Sequence, residues 1–184
     1  MSMDENFLIA QDYDDEGRFL EAAALWESLG PDCPDALYNA GNTYLNLGHR
    51  KRAGRLLKAA AELGVMEAYL NLGLLLAEKH PKRALRYLFA SAAHDDPHGY
   101  VAAAIILGEL GRKAESLHLL DVACRREIVG ASAAKAVVLF DGGAPISERE
   151  CREILTLIEL EPREHPDLDG IRASVEGRLA TFGK

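Results

Sequence analysis

A small-residue signature that returns about every 31 residues constrains this chain more than any other feature. Ile9-Ala10-x2-Tyr13, followed by Gly17, Ala22 and Trp26, comes back as Ala40-Gly41-x2-Tyr44, followed by Gly48, Ala53 and Leu57. A third copy reads Leu72-Gly73-x2-Leu76, then Ala84 and Leu88. A fourth reads Ala103-Ala104-x2-Leu107, then Gly111, Ser116 and Leu120, and the third copy has lost one residue from its inner turn. A fixed period of this length means that each copy is one supersecondary unit, unable to bury its apolar face until a neighbour stacks on it. That favours a stacked helical array and disfavours a single-core enzyme.

Within each period apolar residues fall at i, i+3, i+4 and i+7, which places one buried face on a helix. The pattern predicts helix pairs over 4–15 and 18–29, 35–47 and 50–63, 66–78 and 82–93, and 97–109 and 112–125. Gly17, Gly48 and Gly111 fall where a first helix must end in a left-handed residue. Pro34 and Pro97 fall where a first turn tolerates the missing N–H, with Asp96 as an N-cap for the latter. Past residue 126 the repeat decays but stays helical. Glu127 to Asp141 reads as a fifth first helix, then the turn Gly142-Gly143-Ala144-Pro145, then a capping box Ser147-x-x-Glu150 ahead of Ile154, Leu155, Leu157 and Ile158. A joint at Pro162 and Pro166 leads to a last helix with Leu168, Ile171, Val175 and Leu179 on one side. The expected organisation is a single repeat domain over 1–184: four helix pairs in 3–126, a degenerate fifth pair in 127–160, and a C-terminal cap helix in 161–184, since terminal units must meet water on one face.

Charge narrows the partners. The net charge of −8 disfavours a nucleic-acid backbone, yet it is striped along the chain. Residues 1–49 sum to −9, residues 50–135 to +5 and residues 136–184 to −4. The apolar runs at Val101 to Leu107 and Ala136 to Phe140 fall far short of the roughly 20 residues of a membrane span, and the start lacks the pattern of a signal peptide. Cys33, Cys124 and Cys151 are odd in number and unspaced for metal or redox pairing, so buried reduced thiols and a cytoplasmic setting are expected.

The second copy, Leu37-x2-Ala40-Gly41-x2-Tyr44 then Ala53-x3-Leu57, resembles the tetratricopeptide repeat. The stretch from Lys58 through Gly64 and Ala68 to Gly73 is similar to the join between two Sel-one-like repeats. The likeness covers residues 3–126 and lacks both the signature tryptophan of first helices and a well-placed terminal proline. It implies an all-α superhelical solenoid of antiparallel helix pairs, a concave surface lined by first helices, and binding of a peptide or protein segment there. Independently of the name, small residues such as Ala10, Gly41, Gly73 and Ala104 allow close helix approach, and Tyr13, Tyr44, Trp26 and Leu57 fill the adjacent gaps.

On the expected groove surface Asn39, Asn42 and Asn46 share one helical face, with Asn71 one repeat later and Leu8 and Ala102 at the outer copies. Amides offer a donor and an acceptor to an extended backbone. Together with Tyr38, Leu70 and Leu74 they form the candidate partner site, and Tyr38 is its aromatic anchor. The acidic first helix, with Asp4, Gln11, Asp14 and Asp15 toward the groove, suits a basic partner segment and equally reads as a solvated face. Arg50-Lys51-Arg52, Lys82-Arg83 and Arg112-Lys113 form a basic edge, read mainly as solvated charge because no aromatics interleave. His94-Asp95-Asp96-Pro97-His98 has ligand residue types, but it lies in a turn where capping accounts for them. No motif for catalysis is present. The expectation is therefore a non-enzymatic protein-binding module, adaptor or co-chaperone-like, without cofactor or metal and without nucleic-acid or membrane partners. The alternative is a dedicated regulator or inhibitor of one enzyme, toxin or secreted substrate.

Overall fold

In a computed structural model, residues 2–140, 146–160 and 166–182 are described, and every regular element among them is helical. The chain packs as two compact units, Met1–Asp96 and Pro97–Lys184. In the first unit α1 (Met3–Asp15) pairs with α2 (Phe19–Leu29), α3 (Pro34–Asn46) with α4 (Arg50–Glu62), and α5 (Glu67–Ala77) with α6 (Pro81–Ala93). The pairs join through α2 on α3 and α4 on α5. In the second unit α7 (Pro97–Glu109) pairs with α8 (Lys113–Arg125). Next come α9 (Ala131–Leu139), α10 (Glu148–Glu159) and α11 (Pro166–Phe182), each packed on its predecessor.

The signature positions are the helix contacts. A Cβ added to Gly41 would stand 2.9 Å from Cγ of Leu57 and 3.2 Å from its backbone nitrogen. One added to Gly73 would stand 2.6 Å from Cγ of Leu88. Both leucines are fully buried, so each fills a notch that only a residue without a side chain leaves open. In the fourth copy Ala104 takes the glycine's place, and the buried Ser116 hydroxyl donates to the Ala104 carbonyl at 2.6 Å.

Helix ends repeat as faithfully as helix contacts. Gly17, Gly48 and Gly111 adopt φ of 77°, 79° and 74°. The next N–H reaches back to the carbonyl five residues earlier: Arg18 to Tyr13, His49 to Tyr44, Arg112 to Leu107. This is the Schellman closure that satisfies orphan carbonyls. The residue missing from the third copy is this left-handed one: α5 runs into Glu78 in helical geometry, and the N–H of His80 returns to Leu76 at 2.8 Å. Second helices close in the same way at Gly64, Asp95 and Glu127, the last two without the glycine.

Two expectations need correction. The fifth first helix starts at Ala131 and not at Glu127, because Glu127 and Gly130 both take positive φ and turn the chain first. Of the cysteines only Cys151 is buried, whereas Cys33 in the turn before α3 and Cys124 near the end of α8 are half-buried; all three are free thiols. Ahead of α7, Asp96 accepts a hydrogen bond from the Ser91 hydroxyl at 2.7 Å, which ties it to the end of α6. The capping box at Ser147 and Glu150 forms, as does a second at Ser2 and Glu5. Leu168, Ile171 and Val175 are buried against α9 and α10, with Leu179 beside them. The turn 142–145, Asp141 and Pro162 lie outside the described residues. Among the described residues no helix is long and apolar enough to cross a membrane.

Candidate functional site

Two successive first helices, α3 and α5, carry the seven candidate residues. Leu72, Gly73 and Ala68 bury the opposite face of α5, and Ala36, Leu37, Ala40 and Tyr44 that of α3. The amides are therefore left on the open side by helical periodicity. The structure ties three of the candidates together: the Asn71 side-chain N–H2 donates to Oδ1 of Asn42 at 2.6 Å and lies 3.5 Å from the Tyr38 hydroxyl. Tyr38 also packs on the core of the unit, so the ring is half-buried and held in place. Leu70 is half-buried and Leu74 is exposed. The four amides thus divide. Asn42 and Asn71 are partly spent on each other, whereas Asn39 and Asn46 make no hydrogen bond to another described side chain and line, with Asn42, a cavity toward α1.

That cavity, about 690 Å³, is formed by α1, α2 and α3. Asn39, Asn42 and Asn46 line one wall. Gln11, Asp12, Asp14 and Asp15 line the other, so the acidic first helix does meet the asparagines, while Asp4 stays outside. No ion pair engages Asp12, Asp14 or Asp15 among the described residues. Phe19, Trp26, Thr43 and Leu47 complete the lining. Trp26 is 3% exposed, and its indole N–H is buried without an acceptor, the one such side-chain group among the described residues. Leaving a buried donor unsatisfied costs roughly 1–3 kcal/mol. The repeat period identifies Trp26 as a gap-filling residue, but nothing in the sequence shows that its polar atom is orphaned beside an acidic cavity.

The basic edge is partly structural. Arg52 donates to Glu27 at 2.8 Å and lies 4.3 Å over the Tyr44 ring, and its bond to Glu27 holds the guanidinium above its ordinary pKa. Burial pushes the Tyr44 phenol up. Arg50 donates to the Leu75 carbonyl at 3.0 Å, and Arg112 pairs with Glu115 at 2.6 Å. In the His94 turn the imidazole stacks on Tyr69 with ring centres 5.7 Å apart, and among the described residues no group of three or more ligand residues is placed to hold a metal ion. Burial raises the Cys151 thiol, which disfavours the nucleophilic thiolate.

No protein-family model and no curated protein sequence matches the chain. Solved structures do. YrrB, a tetratricopeptide-repeat protein with an unusual peptide-binding site, is 18% identical, with a TM-score of 0.67 over 84% of this chain and 86% of its own. A MamA protein is 17% identical, with a TM-score of 0.71 over 89% of this chain and 98% of its own. PilF of Pseudomonas aeruginosa is 14% identical, with a TM-score of 0.63 over 98% and 91%. At these identities the likeness is one of fold. With helices packed in consecutive pairs and glycine notches at the period, the chain has the fold of the tetratricopeptide-like repeat proteins.

Proposed function

We propose that the protein is a non-enzymatic binding module that holds an extended segment of a partner protein on the first-helix surface of α3 and α5, with a basic part of that segment reaching into the acidic cavity beside α1. The observation that carries this reading is the composition of that cavity: three carboxylates without ion pairs, two uncommitted amides and a tryptophan whose buried indole donor has no acceptor, all on residues that line one space. A peptide supplies the complement of each. Its lysine or arginine side chains meet the carboxylates, its N–H and C=O groups meet the amides, and a backbone carbonyl accepts from the indole. Tyr38, fixed by core packing and by Asn71, gives a pre-ordered aromatic surface, so little side-chain freedom is lost on binding. The peptide-binding site of YrrB, on the same fold, supports the choice of partner class. An adaptor or scaffold role, acting through this surface, follows from that chemistry.

The test is a fluorescence titration with a roughly ten-residue peptide alternating lysine or arginine with leucine. Saturable binding is expected, weakened at least about tenfold in the variant Tyr38→Ala/Asn39→Ala/Asn71→Ala, the scale on which anchors dominate interfaces. Asp14→Asn/Asp15→Asn, which leaves the packing untouched, should weaken it by several-fold and flatten its salt dependence. Equal binding of the glutamate version to this surface, or full affinity in both variants, would show the reading to be wrong.

A further inference from the structure

We infer that the first unit carries a second, independent docking groove on its second-helix side, and that this groove takes an acidic amphipathic helix of a partner protein. The groove, about 860 Å³, runs between α4 and α6 above the end of α5. Its banks follow helical spacing. Lys51, Arg55 and Lys58 stand at i, i+4 and i+7 along α4, and Arg83 and Tyr87 at i and i+4 along α6, with Lys79 in the turn just ahead. Its floor is aliphatic, made of Leu72, Leu75 and Leu76. Gly54, in the interior of α4, keeps the floor accessible: a Cβ there would stand 3.1 Å from Cδ2 of Leu75. A glycine at such a position costs a helix about 1 kcal/mol relative to alanine, and here it sits where a side chain would press into the groove.

The charges separate into two sets. Arg50, Arg52 and Lys58 are partnered within the chain, by the Leu75 carbonyl and Glu78, by Glu27, and by Glu62. Lys51, Arg55, Lys79 and Arg83 have no ion-pair partner among the described residues. A groove with cationic banks and an aliphatic floor complements a helix with carboxylates along its sides and leucine-like residues beneath, the helix-in-groove mode. From Lys51 to Lys58 the bank is roughly 10 Å long, enough for about two turns. A nucleic acid fits less well. The floor offers aliphatic side chains in place of stacking platforms, and Tyr87 is already packed against Tyr69 with ring centres 6.4 Å apart.

The experiment uses the full chain and a labelled, roughly 15-residue helical peptide of glutamate, alanine and leucine with leucines at i, i+3 and i+7. Saturable binding is expected, weakened at least about tenfold by Lys51→Glu/Arg55→Glu/Arg83→Glu and unchanged by Asn39→Ala/Asn71→Ala. Thermal melts of the charge-reversal variant should match the parent, because all three side chains are exposed. Replacing the peptide's leucines by glutamine should abolish binding. The inference is overturned if the glutamine peptide binds equally, if charge reversal changes nothing, or if a single-stranded oligouridylate of equal charge binds more tightly. It is also overturned if the chain dimerises through this groove, which would make a second copy the occupant. The basic-peptide titration described above reads the other surface, so either idea can fail alone.

Discussion

The first unit and the α7–α8 pair of the second pack the small positions of the repeat with different chemistry. In the first, Gly41 and Gly73 vacate space that Leu57 and Leu88 fill. In the second, Ala104 takes the glycine's place in one buried cluster with Leu120, the counterpart of Leu57 and Leu88, and Ser116, at the position of Ala53 and Ala84, donates its hydroxyl to the Ala104 carbonyl. The repeat thus keeps a small residue on the first helix and a fully buried leucine on the second in all three pairs, and varies only the small position and what surrounds it. Helix ends vary in the same spirit but not by unit: Gly64 closes α4, whereas Asp95 closes α6 and Glu127 closes α8 in the same left-handed geometry.

The sharpest way to break the comparison is to fill a notch. Gly73→Leu and Gly41→Leu should each destabilise the fold by about 1–3 kcal/mol or more, Gly73 the more severely, because its neighbour stands nearer. Thermal melts without loss would mean that these glycines do not set the helix spacing. A smaller effect separates the second unit. Ser116→Ala should cost about 0.5–1.5 kcal/mol, the usual net value of one internal hydrogen bond, and chemical denaturation would measure it. A loss as large as that of the glycine variants would put the hydroxyl, and not the fit of shapes, in charge of that pair. Smallest, and opposite in sign, Glu127→Gly should stabilise by up to about 1 kcal/mol by removing a side chain from a left-handed position. A lower melting temperature would show that the exposed Glu127 side chain contributes more than its backbone conformation costs.

Much of the fold is legible in the sequence because the period fixes both what packs and what turns. Gly17, Gly48 and Gly111 mark turns, and Gly41 and Gly73 mark contacts, since each role admits few residues. The start of α9 is less legible. Glu127 carries no sign of left-handed geometry, so the apolar pattern invites a helix that begins too early. The site is legible in part. Helical spacing puts Asn39, Asn42 and Asn46 on one face, but the pairing of Asn71 with Asn42 depends on the rotation between neighbouring repeats. The orphaned indole of Trp26 depends on which acceptors the fold fails to bring near it. Arg50 and Arg52 read as free surface charge, whereas their bonds to Leu75 and Glu27 join neighbouring helices. Lys51 and Arg55 are therefore the proper controls for charge on that edge.

Trp26 is the single tryptophan of the chain, so its indole N–H gives one isolated signal in a nitrogen-15 correlation spectrum, from a residue that lines the cavity. Titration with the lysine- and leucine-containing peptide should move that signal downfield, as expected when the donor gains an acceptor, together with the side-chain amide signals of Asn39 and Asn46. An indole signal that stays fixed while the shifts map to Lys51, Arg55 and Arg83 would contradict the assignment of the first-helix surface as the binding face.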